Sequence, residues 1–468
     1  MSGALFTPGE LTRICGGEWV NGTPEGIFSL NTDSRTIADG ECFVPLVGER
    51  FDGHDFLAAL AASGKAAAAL CQRDRNVPAG MPVLMVEDTL RAYQALAGFH
   101  RSRMTGLKVI GVTGSVGKTS VKEMLRAIFS RHAGAEQVLY TIGNTNNQVG
   151  AAQNLLRLAP EHRFAVIEMG TNHPGEIAPL ARMARPDAAL VNSIAPCHLE
   201  FLGDLDGVAR EKSAIFSGVA SGGGAVFPAE CAGQATLRDA AERFGLHFHT
   251  FGAWGTPGAA VTGRILKDTL YGSRAELRFA DGKAIEFDWK LAGDVQALNA
   301  AAAAATALHF GLAPEEIASG LRDTELPGKR MKVEERNGIC WINDAYNANP
   351  ASMEASLRHL RSAGGAKRDY LLVLGDMREL GEGAVHHHKT ALDLVKTLFA
   401  DTRYTLFLLG ETFHEALAGY EAPASWRHFD TLEALDSALR NELADGRERT
   451  VFLKSSNGVK LHTLEPFA

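Results

Sequence analysis

GVTGSVGKTS, residues 111–120, decides how the rest of this chain is to be read. It follows the apolar run LKVIGVT and opens the amphipathic stretch TSVKEMLRAIFSRH, so it reads as strand, glycine loop and helix in succession. The N-terminus of a helix offers unpaired N–H groups and the positive end of its dipole, and both favour an anion. Gly114 and Gly117 permit close backbone approach, with Ser115, Val116 and Ser120 completing the cradle. Lys118 can reach the β- and γ-phosphates of a nucleotide, and the Thr119 hydroxyl can ligate Mg²⁺. The plainer alternative, a glycine turn with an incidental lysine, requires strand, loop, Lys-Thr and helix to coincide by chance. The loop departs from the usual spacing. The early glycine position holds Val112, which leaves G-x-x-G-K-T.

The chain has 468 residues, too many for one core, because domains run to roughly 100–200 residues each. Hydrophobic residues make up 46% and charged residues 22%, an ordinary globular balance. The net charge of −8 comes from interspersed acids and bases, which argues against a broad footprint for nucleic acid. Cysteines stand singly at 15, 42, 71, 197, 231 and 340, with no C-x-x-C, and so read as free thiols of a reducing compartment. The start shows neither a basic n-region nor a long apolar run, and no stretch of about 18 apolar residues is present to span a bilayer. The expectation is a cytoplasmic protein without membrane insertion. The Ala-rich ALNAAAAAATALHFG is shorter than a span and reads as a tightly packed core helix.

Organisation along the chain is α/β. The first hundred residues hold short strands with Gly/Asp turns, then helices at HDFLAALAASG and TLRAYQALAGFHRSRM. After Leu107, strands such as FAVIEMG and AALVNSI alternate with helical stretches, which predicts a mostly parallel sheet covered by helices. A break falls near TELPGKRMKV, and GICWINDAY, DYLLVLGD, TLFLLG and TVFLKS follow as further strands. Three α/β domains are therefore expected, at 1–105, 106–325 and 326–468.

Several other segments carry candidate chemistry. Glu168 ends the apolar strand of AVIEMGTNHPGEI, where a carboxylate can take Mg²⁺; a solvated strand-end acid is the alternative. In NSIAPCHLEFLGDLDGVAREKSAIFSG a loop holds His198 and a helix holds Lys212; alone, these read as a polar loop residue and a surface charge. Asn144, Asn146 and Asn147 in YTIGNTNNQVG suit turn and cap chemistry. The three consecutive His of AVHHHKT point about 100° apart on a helix and cannot converge on a metal.

Together these strings resemble the Mur ligase family, ATP-dependent enzymes that form amide bonds in peptidoglycan precursors. The loop itself has the family's shortened form, which folylpolyglutamate synthases share. The resemblance extends over nearly the whole length. It implies an N-terminal UDP-binding α/β domain, a central P-loop ATPase domain with a mostly parallel sheet, and a C-terminal Rossmann-like domain. By the same resemblance Lys118, Glu168, His198 and Lys212 are catalytic. Two Mg²⁺ ions would be held by Thr119, Glu168, His198 and an N-carboxylated (carbamylated) Lys212. ATP would meet the loop residues 114–120 together with Gln296, Asn299, Arg330, Asp344 and Asn347. Asp33-Ser34-Arg35 matches the uridine-diphosphate signature, with Ser34 at the uracil end and Arg35 bracing the fold. The string GN-x-NN-x-x-G (Asn144, Asn146, Asn147) matches the segment that touches the sugar–peptide substrate, and NDAYNANP adds Tyr346 and Asn349. These two strings point to the member that joins D-alanyl-D-alanine to UDP-N-acetylmuramoyl-tripeptide; a monomer is expected. The sister ligase that adds the third residue, a folylpolyglutamate-synthase-like ligase, and a nucleotide-gated protein without turnover are the rivals.

The chain departs from the family pattern in several places. Val295 and Gln296 replace the His and Asn of the adenine segment, Ala214 replaces a Glu two residues after Lys212, and Asn457 replaces an Arg suited to gripping a carboxylate. Lys329 is inserted before Arg330, which the family pattern places in Pro-Gly-Arg.

Overall fold

The computed structural model describes residues 4–48, 50–328, 330–464 and 466. Three sheets follow one another along the chain, of five, nine and six strands. In the first, Glu18–Val20, Val83–Val86, Ala68–Gln72, Glu41–Phe43 and Ser29–Asn31 lie side by side in that order. Only the Glu18–Val20 pairing is antiparallel. The helix Thr89–Ser102 closes this unit. Asp88 caps it by accepting from the Arg91 N–H, and Ala92, Tyr93, Leu96, Ala97 and His100 form one buried stripe at helical spacing. That stripe packs against the central helices Gly150–Leu156 and Ile177–Ala184, so the first two units share one apolar core.

The nine-stranded sheet positions the site. From Val138–Tyr140 through Phe164–Glu168, Lys108–Thr113, Ala188–Val191, Gly224–Pro228 and His247–Ala253 to Val261–Thr269, neighbouring strands are parallel. Their residues are buried on both faces near the centre, which is why the sequence shows continuous apolar runs there rather than alternation. The strand Lys108–Thr113 sits between Phe164–Glu168 and Ala188–Val191. The chain leaves these three parallel strands at the same end of the sheet. Loops at the carboxyl ends of adjacent parallel strands form the usual ligand crevice of such sheets.

The far edge differs from the expected strand–helix alternation. Val261–Thr269, Gly272–Phe279 and Ala284–Trp289 form an antiparallel meander. The Ala-rich helix Asp294–His309 lies against the sheet and against Lys118–Ala133, with Ala300 to Ala305 fully buried. Alanine there lets two helices and a sheet approach closely without side-chain entropy loss.

In the third unit Lys332–Arg336 pairs antiparallel with Ile339–Asn343. The strands Arg449–Lys454, Asp369–Gly375, Arg403–Leu409 and Trp426–Phe429 then continue in parallel. Separate apolar cores cover its two faces. All six cysteines are unpaired. Among the described residues, no helix is long and apolar enough to cross a membrane.

Candidate active site

Gly114 has φ +150° and Gly117 φ +82°, backbone that disfavours a side chain. Space is equally decisive. A Cβ on Gly117 would lie 2.4 Å from Asn192 Nδ2 and 2.5 Å from Asn299 Oδ1. The loop is therefore clamped from behind by the adjacent strand end. Ser115 N–H donates to the Ser193 carbonyl (2.9 Å) and Val116 N–H to Ser193 Oγ (2.8 Å). Ser115 Oγ donates to the Ala195 carbonyl at 2.9 Å. Asn192 Nδ2 donates to the Val116 carbonyl (2.9 Å) and to Asn299 Oδ1 (2.8 Å). With Ser115 and Val116 amides engaged on Ser193, the donors aimed at a phosphate are those of the helix's first turn, Lys118 to Ser120, which have no upstream carbonyl within the helix. Lys118 Nζ folds back onto the Gly114 carbonyl at 2.7 Å.

Thr119 and Glu168 meet at the loop. Thr119 Oγ1 lies 3.3 Å from Glu168 Oε1, which also accepts from Asn146 Nδ2 at 2.8 Å. The Glu168 N–H is held by Thr141 Oγ1 at 2.9 Å. The other carboxylate oxygen, Glu168 Oε2, is buried and has no hydrogen-bond donor. A buried carboxylate oxygen without a donor is costly, and a hard divalent cation beside the Thr119 hydroxyl satisfies it. The residues present thus fit Mg²⁺.

His198 has φ +51° and precedes the short helix Leu199–Leu202. Its Nδ1 lies 2.5 Å from Glu379 Oε2, a residue of the third unit that also sits in left-handed backbone (φ +64°). Non-glycine residues in that region cluster where function requires them. The His198 hydrogen bond holds the Glu379 carboxyl below the usual carboxylate range. An ionised carboxylate takes a proton donor, so Nδ1 carries the hydrogen and Nε2 is the ring nitrogen left to face a metal, the arrangement common among metal-binding His side chains.

Lys212 lies in the helix Leu205–Ser213, capped by Asp204 through the Gly207 N–H at 2.7 Å. Its neighbour Glu211 points a different way, accepting from the Gly175 and Ile177 amides at 2.6 and 2.8 Å and so fixing the loop beyond Glu168. Lys212 itself is 1% exposed, not the surface charge a lone helical lysine suggests. Burial first, and the nearby charge of Lys118 as well, bring its ammonium down to about 8. Cys197, which also acts on Lys212, donates to Ser115 Oγ at 3.2 Å and ties this corner to the loop.

Other expected residues are placed differently. Asn299 is 2% exposed and both ends of its amide are engaged, on Asn192 and on Gln296 Oε1 (3.1 Å), so it braces the loop from behind. Asn147 holds the turn ahead of the helix Gly150–Leu156, accepting the Gly150 N–H at 2.9 Å, and Asn144 is exposed. Arg330 reaches across from the third unit, donating to Thr119 Oγ1 at 3.2 Å with its guanidinium 3.8 Å from the Tyr346 ring centre. Lys329 lies outside the described residues. Asp344 is engaged in a buried pair with Lys454 (2.6 Å) and accepts the Met331 N–H (3.1 Å), which secures the entry to the third unit. Asn347 is exposed beside it. Asn349 caps the helix Pro350–Gly364. Asn457 donates to the Tyr346 carbonyl at 3.2 Å. Ser34 and Arg35 stand on the first sheet's loop, where Arg35 pairs with Asp33 at 2.7 Å and brings that carboxyl down to about 2.

Sequence reasoning missed Glu379, Asn192, Ser193 and Lys122. Lys122, fully buried, donates to the Thr141 carbonyl at 2.8 Å and pairs with Glu123 at 2.8 Å, bracing the strand end beside Glu168.

Three family models match in succession: the Mur ligase family catalytic domain over 27–101, the Mur ligase middle domain over 112–307, and the Mur ligase glutamate ligase domain over 329–457. The UDP-N-acetylmuramoyl-tripeptide–D-alanyl-D-alanine ligase of Escherichia coli K12 is 35% identical over 97% of this chain and 96% of its own length. A crystal structure of MurF from Acinetobacter baumannii superposes with a TM-score of 0.88 at 31% identity, covering 98% of this chain and 97% of that one. MurF from Thermotoga maritima, solved with ADP, gives a TM-score of 0.79 at 24% identity over 92% of this chain and 95% of that one.

Proposed function

The chain belongs to the Mur ligase family, and on that premise we propose that it joins D-alanyl-D-alanine to UDP-N-acetylmuramoyl-tripeptide at the expense of ATP, in peptidoglycan precursor synthesis. The observation that carries this reading is end-to-end likeness to a ligase of that name, 35% identical over 97% of the chain. The sister ligase and the folylpolyglutamate-synthase-like reading are disfavoured by it, and a protein without turnover by the intact Lys118, Glu168, His198 and Lys212.

The peptide carboxylate attacks the γ-phosphate of ATP and ADP departs. The amine of D-alanyl-D-alanine then attacks the acyl carbon of the acyl phosphate, forming the amide and releasing phosphate. Lys118 leaves the Gly114 carbonyl to lie against the β- and γ-phosphates, and the first-turn amides hold the oxygens. Two Mg²⁺ ions would supply further neutralisation of the phosphoryl charge, held by Thr119, Glu168, His198 and a carbamate on Lys212. Asn144, Asn146, Asn147 and Ser34 meet the sugar–peptide nucleotide, while Arg35 braces the Ser34 loop through Asp33. Gln296, Arg330, Asn347, Tyr346 and Asn349 face the nucleotide and the incoming dipeptide when the units close. Asp344 and Asn299 act from behind. Domain limits of 1–105, 106–325 and 326–468 fit this division of labour, and one copy of the chain carries every residue in it.

ADP release measured with and without each substrate tests the reading. Turnover requiring both UDP-N-acetylmuramoyl-tripeptide and D-alanyl-D-alanine is expected. Equal turnover with a single diamino acid in place of the dipeptide overturns it.

Glu379→Ala is expected to cut turnover by about 10–100-fold and to raise the Mg²⁺ concentration needed for half-maximal rate, because Glu379 orients the His198 ring. A lower rate with unchanged Mg²⁺ dependence reduces Glu379 to a domain contact.

A further inference from the structure

We propose that His414, His428 and Asp430 form a binding site for one zinc-class transition-metal ion on the third unit, apart from the nucleotide site. One ligand atom from each lies within 4.8 Å of the others. His414 belongs to the helix Glu411–Leu417, His428 to the edge strand Trp426–Phe429, and Asp430 follows that strand directly.

The hydrogen bonding of His428 favours ligation. Its Nε2 lies 2.8 Å from the Gly410 carbonyl, which can only accept, so Nε2 carries a proton and Nδ1 is the nitrogen available to an ion. Nδ1 lies 3.7 Å from Asp430 Oδ1. That is too long for a hydrogen bond, and close to the separation of two ligands each about 2.0–2.1 Å from a shared tetrahedral ion. A His whose second ring nitrogen is fixed on a backbone carbonyl is the usual support of a metal ligand.

His414 is delivered by a helix that cannot easily drift. The Asp376 carboxylate accepts from the Thr412 and Phe413 amides at 3.0 Å each, and Phe413 is fully buried. The His414 and His428 rings stand 5.0 Å apart, tilted by 58°. A small change of the exposed His414 and Asp430 side chains closes the set.

Two imidazoles and one carboxylate suit zinc or a neighbouring transition metal, whereas Mg²⁺ wants oxygens. Three protein ligands leave a fourth position for water. The ion would fasten the helix Glu411–Leu417 to the edge of the six-stranded sheet.

The test is zinc titration of the full chain, free of any affinity tag, against a chromophoric chelator with Mg²⁺ in excess to hold the oxygen-rich site. One zinc per chain is expected. His414→Ala, His428→Ala and Asp430→Asn should each weaken it by at least about tenfold, with melting in chelator unchanged for the two exposed positions. His386→Ala/His387→Ala should bind as the natural chain does. Absence of zinc binding, binding indifferent to His428→Ala and Asp430→Asn, or binding lost only in the His386/His387 double variant overturns the proposal.

Discussion

Lys118→Ala is expected to fold normally and to lose at least about 10²-fold in turnover, the scale of removing one preorganised charge contact at a reacting group. The fold should survive because the Lys118 side chain is only half-buried and its hydrogen bond goes to the Gly114 carbonyl of its own loop. The loop keeps its shape through other contacts: the Ser115 and Val116 amides on Ser193, and Asn192 and Asn299 packed behind Gly117. The loss should therefore fall on charge neutralisation at the phosphates. ADP release under saturating substrates and thermal melting of the same preparation separate the two effects. Near-normal turnover would remove the loop from the chemistry, and a collapsed melting transition would make its role structural.

The parts of this site legible in the sequence are those set by short-range geometry. Strand, glycine loop and helix are contiguous, so Lys118 and Thr119 could be placed from residues 107–133 alone, and Glu168 ends an apolar run whose central position follows from its burial on both faces. Glu379 was not legible, because it meets His198 across 181 residues of chain and no local pattern marks it. Asn192 was within reach of reading, since it ends the strand beside the loop, but only the pairing of Ala188–Val191 with Lys108–Thr113 turns that position into a clamp. Asn299 and Asp344 show the opposite case. The family resemblance implied nucleotide contact, while burial turns both inward to brace the loop and the entry to the third unit. The antiparallel meander carried a signal of its own in Asp281-Gly282, a hairpin dipeptide between alternating strands. The surrounding strand–helix rhythm obscured it.

Lys212→Ala is expected to lose at least about 10²-fold in activity and to recover part of it when a small carboxylate is added, because the working side chain is read as a carbamate. The ligand inventory motivates this. Thr119 is neutral, His198 would ligate as a neutral imidazole, and Glu168 would bring one carboxylate, so two Mg²⁺ ions held there would lack an anion. An unmodified ammonium beside them would compete for the same phosphate oxygens. Carbamylation joins the neutral amine to CO₂ and releases one proton, so it is favoured where the amine is uncharged. Burial brings its pKa down to about 8, so far more of the Lys212 amine is neutral near neutral pH than at the ordinary lysine value. The sign of the pH dependence follows. Carbamate occupancy, and activity at limiting CO₂, should fall as pH drops below about 8 and be restored by added bicarbonate. In unmodified chain the depressed pKa means that the folded state binds fewer protons than the unfolded state between about 8 and the ordinary lysine value, so stability should rise across that window. Labelled bicarbonate should give a carbamate carbon signal that disappears in Lys212→Ala. A fully active enzyme at neutral pH with an unmodified Lys212 would refute the carbamate. In that case the missing anion would have to come from the substrates themselves.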